Sequence, residues 1–565
     1  MHCSLGHEEL GGQDLAYCVA DSANCVDVTL GGPVKKLIVL ALAAALLTGA
    51  CGNLPYAEVT PNFSGTTYIA VESPEGAVAE DDDLFDTSCS NPGHIIGESV
   101  EGSLEAAIAY AYSEEIGVVH LCAGEYVTTD VVEFENLGSI TIEGDGSNKT
   151  IVRASLDHSL FAMIPAECMP EDVEGCPSYF NVLTIKDLSL RDGVGGAPAF
   201  ELSCESLSDD CDADPDPTTF LAGGAVTAPL VRTERVRFEN NSGVCGGAIS
   251  TYGWTMTLTD QFFTDGDGGF DSETEALEYL LGLVEDNTNE IVETTFAYNS
   301  ASVGGAIAGI ANDSDGGEEA CLLTGPLRIA DSGFHHNLAE TGDSLEASIG
   351  GAIAGADLFL IVLLGLGGDL EEIEDTFGSF YRAGGLQISN SAFTDNKAVG
   401  DGAQGGAVFY VGNLSIDQSA FTNNHAISTA DLPAYGGAIA LGGALSLENS
   451  TLVGNTSDSG GAVAFPVLFP PSTFVNSTVS RNTFTRNIAA DQGGAIAGWP
   501  TDGIARGNRF SSNRASTGPA VAVPIQNCTR TWSRRAVRDW RGNTFRQNRG
   551  GRLPVECYVA APEPT

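Results

Sequence analysis

The sequence is poor in basic residues. It has 25 Lys and Arg against 76 Asp and Glu, which gives a formal net charge of −51. A surface of this sign repels phosphates, so the body of the protein is not expected to bind nucleic acid. The shortage is uneven, because residues 481–565 hold 13 Arg and five acids, a charge of +8, while residues 1–480 carry −59. We therefore expect the two ends of the molecule to meet different partners.

Several familiar signatures of chemistry are also missing. None of the 14 Cys residues forms a Cys-x-x-Cys pair, so zinc-ribbon and thioredoxin-like redox chemistry are not indicated. No Ser-His-Asp arrangement can be assembled from residue spacing, and no acidic cluster repeats on a regular period. Glycoside cleavage in a repetitive fold would need convergent carboxylates of that kind.

Glycine is abundant and follows a pattern. The 69 Gly and 23 Pro favour short strands joined by tight corners over a helical bundle. Gly-Gly-Ala followed by Ile or Val occurs eight times, with the first glycine at Gly223, Gly246, Gly304, Gly350, Gly405, Gly436, Gly460 and Gly493. The shortest spacing, 23 residues from Gly223 to Gly246, lies in the range of solenoid repeats.

A Phe-x-x-Asn element alternates with these glycines. Its copies are Phe238 with Asn241, Phe296 with Asn299, Phe334 with Asn337, Phe393 with Asn396, Phe421 with Asn424, Phe484 with Asn487, Phe510 with Asn513, and Phe545 with Asn548. Two degenerate copies, 262–265 and 452–455, are assigned to further coils, and the spacing from Phe238 to Phe262 supports a coil of about 24 residues.

The residues before each Phe alternate, as in Leu327-Arg-Ile329-Ala-Asp331-Ser-Gly-Phe334, which predicts a strand with apolar residues inward and polar residues outward. A coil of about three strands cannot bury its own apolar face, so it must stack on neighbours about 4.8 Å away. The predicted fold is therefore all-β, a right-handed single-stranded parallel β-helix of pectate-lyase-like type with loop and short helical insertions. Phe rings should stack inside and Asn side chains should bond along a corner. Ala should permit a narrow turn, and Gly-Gly should supply positive φ. These residues are interpreted as structural.

The paired elements resemble the repeats of the polymorphic outer membrane proteins, an autotransporter adhesin family of Gram-negative bacteria. The resemblance covers residues 223–548 and implies surface display and adhesion. Members of that family end in a translocating β-barrel, and no series of alternating ten-residue strands of that kind precedes Thr565. A lipid anchor is the attachment expected instead.

Residues 34–50 predict an export signal, with Lys35 and Lys36 before the apolar run 37–47, which is too short to span a bilayer. The following Thr-Gly-Ala-Cys51 resembles a lipoprotein signal in which Cys51 is acylated; ordinary cleavage after Ala50 is the open alternative. Residues 1–33 are interpreted as an upstream extension from a misassigned start, and 51–88 as a flexible acidic tether.

The β-helix is predicted to span 89–560, followed by a tail at 561–565. Its N-terminal cap is placed at about 100–126, with a helix at 103–108 and the first strand and turn at 118–126; the next coils contain 140–142, 183–185 and 188–190. Residues 273–289 have helical spacing, and 358–380 include an apolar run, which is expected either to pack on the flank or to bind a partner. Such insertions should explain only part of the long intervals after Gly304 and Gly350. Lost coils are expected to explain the remainder.

Ten Cys follow Cys51, an even number that favours disulfides in an exported chain. Close sequence neighbours such as Cys168 with Cys176, Cys204 with Cys211, and Cys528 with Cys557 are candidates to close loops at coil corners, but spacing does not determine the pairing. Asp265, Asp267 and Asp271 resemble half a calcium loop, although Phe270 and Ala276 replace the Gly and Glu that such a loop needs. The alternative is a solvated acidic loop. His335 and His336 are interpreted as exposed corner residues.

Residues 529–541 interleave five Arg with two Trp, and Arg534, Arg535 and Arg538 are the candidates for contact with lipopolysaccharide phosphates or acidic glycans. The alternative is a cap that pairs with the acidic body.

Three functions remain open. The first is a non-enzymatic adhesin or structural component of the envelope, outer membrane or cell surface, lipid-anchored or secreted, with a host or surface glycan or protein as ligand and no cofactor except the calcium candidate. The second is a secreted polysaccharide lyase or glycoside hydrolase. The third is a subunit of a larger secreted assembly.

Overall fold

The computed structural model describes residues 66–69 and 111–558, with gaps in the second range at 112–116, 129, 136–137, 165–180, 196–197, 203–217, 222, 254–286, 310, 314–320, 322, 342–347, 357–384, 466–476, 501–502 and 525–541. Within these residues, no helix is long and apolar enough to cross a membrane.

The chain forms a parallel β-helix, as the repeats predict. In a complete coil it passes through four parallel sheets in turn, here named sheets 1 to 4, and then enters sheet 1 of the next coil. Sheet 2 carries the Phe-x-x-Asn element and sheet 4 carries the residues after Gly-Gly-Ala. The period-two alternation of the repeats therefore gives strands, and stacking buries their inner faces in one continuous core.

Sheet 1 contains Thr66–Ile69, Val118–Leu121, Ile140–Gly144, Val182–Lys186, Leu230–Glu234, Asn289–Val292, Leu327–Ala330, Leu386–Ser389, Leu414–Asp417, Leu445–Glu448, Thr478–Ser480 and Ile504–Arg506. Sheet 2 contains Gly124–Thr128, Thr150–Ala154, Ser189–Arg191, Arg237–Glu239, Thr295–Ala297, Gly333–His335, Ala392–Thr394, Ala420–Thr422, Thr451–Val453, Thr483–Thr485, Arg509–Ser511 and Thr544–Arg546.

Sheet 3 contains Ser300–Ala301, Leu338–Glu340, Lys397–Gly400, His425–Ser428, Thr456–Ser459, Ile488–Gln492, Arg514–Ala515 and Arg549–Gly550. Sheet 4 contains Val132–Glu135, Phe161–Ile164, Val226–Ala228, Ile249–Thr251, Ile307–Gly309, Ile353–Ala356, Val408–Val411, Ile439–Leu441, Val463–Ala464, Ile496–Ala497, Val521–Pro524 and Val555–Tyr558, with Leu323–Thr324 paired beside Ile353–Ala356. A small antiparallel sheet contains Pro198–Leu202, Thr218–Leu221 and Ala311–Asp313.

The Phe rings stack inside the helix in register. Ring centroids in consecutive coils lie 4.6 to 5.0 Å apart with nearly parallel planes, for the pairs Phe238–Phe296, Phe296–Phe334, Phe334–Phe393, Phe393–Phe421, Phe484–Phe510 and Phe510–Phe545. Leu452 takes the Phe position between Phe421 and Phe484. The spacing of the rings is therefore the spacing of the strands.

The Asn side chains form a ladder along the corner after sheet 2. Each Nδ2 donates to the Oδ1 of the next Asn at 2.9 to 3.1 Å, through Asn241, Asn299, Asn337, Asn396, Asn424, Asn455, Asn487, Asn513 and Asn548. The same amide also donates to the carbonyl of the Phe-position residue one coil back, as Asn424 does to Phe393 at 2.9 Å. Satisfied amides of this kind fix the register of each coil.

A second polar ladder precedes sheet 2 and corrects the prediction that polar residues there point outward. Its members stand two residues before the Phe position and are Thr294, Ser332, Ser391, Ser419, Ser450, Asn482, Asn508 and Asn543. Ser332 is only 4 % exposed. The backbone N–H of each residue donates to the side chain of the next, at 2.7 to 3.2 Å. The prediction from period-two alternation was wrong at this position because the chain turns a corner there.

The residue before each ladder position adopts a left-handed conformation. Asp331 has φ of 51° and His336 has φ of 55°, so the short strand that carries Phe334 is bounded by two such residues. The expectation that the Gly-Gly pair supplies positive φ was only partly correct. Only the first glycine has positive φ, between 60 and 69° from Gly246 to Gly493. The second is required because a Cβ would overlap the backbone of the next coil.

The long intervals between repeats contain no lost coils, which corrects the expectation for the intervals after Gly304 and Gly350. Ile307 pairs directly with Ile353, and Ile353 pairs directly with Val408. Phe238 likewise pairs directly with Phe296, so the coil assigned to 262–265 does not exist in the stack; residues 262–265 themselves lie outside the described residues. Extra length is therefore added within a coil, chiefly where the chain leaves sheet 4.

Other boundaries also shift. Asn289, which ended the predicted helical insertion, begins a strand of sheet 1. Thr66–Ile69 lies in the predicted tether and pairs in parallel with Val118–Leu121, so it precedes the strand predicted to be the first. A ninth turn of the glycine type, Gly518-Pro-Ala-Val521, escaped recognition because Pro519 replaces the second glycine. The remainder of 273–289, the insertion 358–380 and the capping helix at 103–108 lie outside the described residues.

One disulfide links Cys245 and Cys321, whose Cα atoms are 5.2 Å apart, and this pair was not among those predicted. It joins the start of one sheet 4 strand to the end of the loop that follows the next one. Cys122 and Cys557 are also disulfide-bonded. Cys168, Cys176, Cys204, Cys211 and Cys528 lie outside the described residues.

We predict that Asn424→Ala lowers the free energy of unfolding by about 2–4 kcal/mol, because it removes four hydrogen bonds and leaves buried partners unsatisfied. Urea unfolding followed by circular dichroism measures the change. Ser415→Ala, at an exposed position of the same coil, is the matched control and should leave stability nearly unchanged. Equal effects of the two substitutions would show that the ladder does not stabilise the coil.

We also predict that Gly406→Ala is strongly destabilising although Gly406 is not in the left-handed region, because the added Cβ would overlap the carbonyl oxygen of Gly437. Gly402→Ala should cost about 1 kcal/mol, since its φ is 70° but the nearest atom to a Cβ, in Leu432, is 3.3 Å away. Thermal unfolding compares the two variants. If Gly402→Ala is the more damaging, close packing between coils is not what requires the second glycine.

Candidate functional site: an aromatic and histidine cluster on one corner

The corner between sheets 2 and 3 carries a group of polar and aromatic side chains. Tyr298, His336 and Asp395 occupy the same corner position in three consecutive coils, immediately before the ladder residues Asn299, Asn337 and Asn396. Their left-handed backbone, with φ of 60°, 55° and 56°, turns each side chain away from the core. The buried ladder thus places three outward side chains in a line, of which Tyr298 and His336 are exposed and Asp395 is partly buried.

Tyr298 and His336 form a stacked pair of rings at the surface. Their centroids are 4.9 Å apart with an interplanar angle of 12°. Tyr298 is 56 % exposed, the highest exposure of an aromatic side chain among the described residues. His336 continues the line towards Asp395, with 4.0 Å between Nε2 and Oδ2. An exposed, pre-ordered aromatic surface with polar edges is suited to recognition, because it offers contact area at a small cost in side-chain entropy.

Three further side chains flank this line. His335 lies on the outer face of sheet 2, and Lys397 and His425 are aligned on adjacent strands of sheet 3. His425 also contacts Thr456, with 2.6 Å between Nδ1 and Oγ1. We name these six residues, Tyr298, His335, His336, Asp395, Lys397 and His425, the corner cluster.

Two imidazoles of the corner cluster, those of His335 and His425, have a lowered pKa and so favour the neutral form. Burial lowers the pKa of His335, and the neighbouring His336 lowers it further, while Asp395 acts in the opposite direction. Burial also lowers the pKa of His425, helped by Lys397 and again opposed by Asp395. The carboxylate of Asp395 therefore lies within electrostatic range of both rings. A neutral imidazole has one donor and one acceptor, so both rings can bind hydroxyl groups at neutral pH.

The corner cluster contains a single carboxylate, that of Asp395. Two carboxylates elsewhere have shifted pKa values. Hydrogen bonding to Arg235 lowers the pKa of Glu234, and hydrogen bonding to Gln418 lowers that of Asp417. Both are held ionised at neutral pH, so neither is a general acid. Among the described residues, no group of three or more His, Cys, Asp or Glu could hold a metal ion.

The N-terminal coils carry a second concentration of charge, beside a surface cleft of about 530 Å³ that includes Lys149, Asp187, Arg235, Arg237 and Glu293. Here the charges are largely paired. Arg235 holds Asp187 through two bonds of 2.7 Å and also contacts Glu234. The Arg235–Asp187 pair bridges adjacent coils, and groups held in this way are poorly placed to act on a substrate.

The sites predicted from the sequence divide into two groups. Phe and Asn of the repeats are buried in the core and ladder, except in the final coil, where Phe545 and Asn548 are partly buried. Cys51, the calcium candidates Asp265, Asp267 and Asp271, and the arginines Arg534, Arg535 and Arg538 lie outside the described residues.

Sequence reasoning treated His335 and His336 alone, whereas the structure adds His425, Lys397, Tyr298 and Asp395. The sequence nevertheless contains a pattern that identifies two of these residues. Lys397 and His425 each directly follow a ladder asparagine, Asn396 and Asn424, so aligning the coils on that Asn places them in one column.

Comparisons with known proteins add little to this site. The chain matches no protein-family model, and no curated protein matches it. Among solved structures, the A-module of a mannuronan C-5 epimerase from Azotobacter vinelandii aligns over 81 % of this chain and 94 % of that chain, with 12 % identity and a TM-score of 0.26. A likeness this weak has no bearing on activity.

We predict that acid destabilises the protein through His335 and His425. Their folded-state pKa values are lowered, so below about pH 7 the unfolded chain binds more protons than the folded chain. Their stabilising contribution is complete above the unfolded value of 6.5 and is lost as pH falls below it. The melting temperature of a His335→Gln, His425→Gln variant should fall less between pH 7.5 and 5.0 than that of the wild type. Identical falls would contradict this assignment.

Proposed function

We propose that this protein is an exported, envelope-associated β-helix that recognises a surface glycan or protein without transforming it, as an adhesin or structural component of the cell surface. The observation that carries the proposal is the corner cluster, a pre-ordered surface of exposed rings and neutral imidazoles built on a rigid ladder. The resemblance of the repeats to the polymorphic outer membrane proteins supports the same role.

Disulfides support export. Cys245 and Cys321 are bonded, and Cys122 and Cys557 are also in disulfides. Disulfides persist in the periplasm and outside the cell, and are rare in the bacterial cytosol. They agree with the signal predicted before Cys51.

The surface chemistry favours binding over catalysis. Glycosidases place two carboxyl groups on opposite sides of one bond, and one of them is held protonated. The corner cluster has only Asp395, which lies against His336 on an open ridge. On such a ridge a ligand keeps much of its hydration, so single contacts are weak, and useful affinity comes from several contacts made together.

We predict that Tyr298→Asn with His336→Asn abolishes most of the binding to the cognate ligand, because both exposed rings are removed. Asn already occupies this left-handed position at Asn240 and Asn423, so the fold should be retained. The measurement is binding of wild-type and variant protein to immobilised neutral glycans, acidic glycans and extracellular-matrix proteins. Gln547→Asn, at the same corner position in the last coil, is the matched control.

The wild type and the Gln547→Asn control should select the same immobilised ligand, and the double variant should lose it. If the double variant keeps full affinity for every ligand that the wild type binds, the corner cluster is not the recognition surface.

Attachment to the membrane through a lipid on Cys51 can be tested separately. Wild-type protein expressed from the full chain in a Gram-negative host should incorporate an alkyne-labelled palmitate and fractionate with membranes. Cys51→Ala should lose the label and become soluble. A label retained by Cys51→Ala would contradict lipidation at that residue.

A further inference from the structure

On sheet 1 of the N-terminal coils, outward charges alternate in sign from one coil to the next. Arg232, Glu290 and Arg328 occupy one column of sheet 1, and both arginines contact Glu290, at 4.0 and 3.0 Å. Lys186 pairs with Glu234 in the next column at 3.4 Å. Alternation is the arrangement that stabilises adjacent strands, because each charge faces an opposite one. On sheet 2, the register partners Arg153 and Arg191 have like charge, but they contact Glu125 and Glu239.

The last coils break this rule. Arg514 and Arg549 are register partners on adjacent strands of sheet 3, and both are exposed. On sheet 2, Arg509 and Arg546 stand on adjacent strands, two residues apart in register, and are also exposed. We name Arg509, Arg514, Arg546 and Arg549 the arginine face, which crosses the corner between sheets 2 and 3.

The acids that the structure describes in the last coils do not contact the arginine face. Residues 481–558 contain eight described arginines and two described acids, Asp491 and Glu556. Glu556 accepts hydrogen bonds from the backbone of Gly518 and Leu553 and so closes the end of the helix. None of the four guanidinium groups contacts a carboxylate among the described residues. Arg514 and Arg549 are directly opposed, and like charges in that position are destabilising, so this pair does not stabilise the two strands.

We propose that the arginine face binds a linear acidic polysaccharide. Guanidinium groups bind carboxylate and sulfate groups through paired hydrogen bonds, and a polymer presents such groups at repeated intervals. Arginines on neighbouring strands, about 4.8 Å apart, can contact successive charged groups of an extended chain. The remaining molecule carries a strong negative charge, which repels the polymer from every other surface and directs it to this end.

The position of the arginine face favours a polymer over the membrane. Sheet 1 has 12 strands, which at about 4.8 Å for each step extend about 50 Å from its first strand to its last. If the chain is anchored at Cys51, the arginine face lies at the far end of this stack, away from the headgroups. This step rests on the proposed envelope location, whereas binding of the polymer does not.

The test compares full-chain wild type with a variant in which Arg509, Arg514, Arg546 and Arg549 are all replaced by Gln. Binding is measured to immobilised polygalacturonate and dextran sulfate, to neutral dextran, and to vesicles containing anionic phospholipid, at two salt concentrations. The control variant is Arg232→Gln with Arg328→Gln, which removes arginines of the paired type. Thermal unfolding is recorded for all three proteins.

The wild type and the control should bind at least one acidic polysaccharide, less tightly at high salt, and neutral dextran should not be bound. The fourfold variant should bind about ten- to a hundredfold more weakly, because exposed ion pairs are individually weak but act together here. Its melting temperature should be unchanged or higher, since repulsion is relieved.

Four results would overturn the proposal. They are undiminished polysaccharide binding by the fourfold variant, an equal loss in the control, a lowered melting temperature of the fourfold variant that assigns the arginines to the fold, and binding to anionic vesicles alone. Turnover of the polysaccharide would instead overturn the proposed non-enzymatic function and leave binding at the arginine face intact.

Discussion

The structure depends on contact between successive coils. A single coil of short strands cannot bury its apolar residues or satisfy its backbone, so every coil is stabilised by the coils before and after it. The Phe stack provides the apolar part of this contact, and the hydrogen bonds of the two polar ladders make the alignment of the coils specific. Because an amide or hydroxyl must meet the equivalent group one coil away, the ladders fix register, and register fixes where every outward side chain lies.

Register also explains how the outer surface is organised. The left-handed residue before each ladder asparagine always points outward, so its identity is free of the constraints on the core. In the middle coils that position holds Tyr298, His336 and Asp395, while other coils place Asn, Gly, Arg, Ser or Gln there. In the same way, outward columns carry paired charges on the N-terminal coils, and at the C-terminal end they carry arginines that contact no carboxylate among the described residues. Variation in outward columns on a constant interior is how a solenoid acquires recognition surfaces.

Much of the fold could be predicted from the sequence. The Phe-x-x-Asn and Gly-Gly-Ala elements were sufficient for the parallel β-helix, because period-two alternation and repeat length are local properties. The second ladder was not predicted, because Ser332 and Ser391 would point outward in a straight strand. In the structure the backbone turns at Asp331 and Asn390, so the two serines are buried. Cys245 and Cys321 could not be paired from the sequence, because the number of coils between them depends on register rather than on spacing. The corner cluster was not predicted for a related reason. Its consecutive members are 1 to 59 residues apart along the chain, and they form one group only when the coils are aligned on asparagine.

The central claim is that this β-helix recognises a ligand rather than transforming one. It is tested most directly by incubating the wild-type protein with a panel of acidic and neutral polysaccharides and measuring unsaturated and reducing sugars. We expect no release above that of heat-unfolded protein, while binding to at least one polymer is retained. Sustained release of either product, lost when residues of the corner cluster are substituted, would contradict the account and identify the corner as an active site.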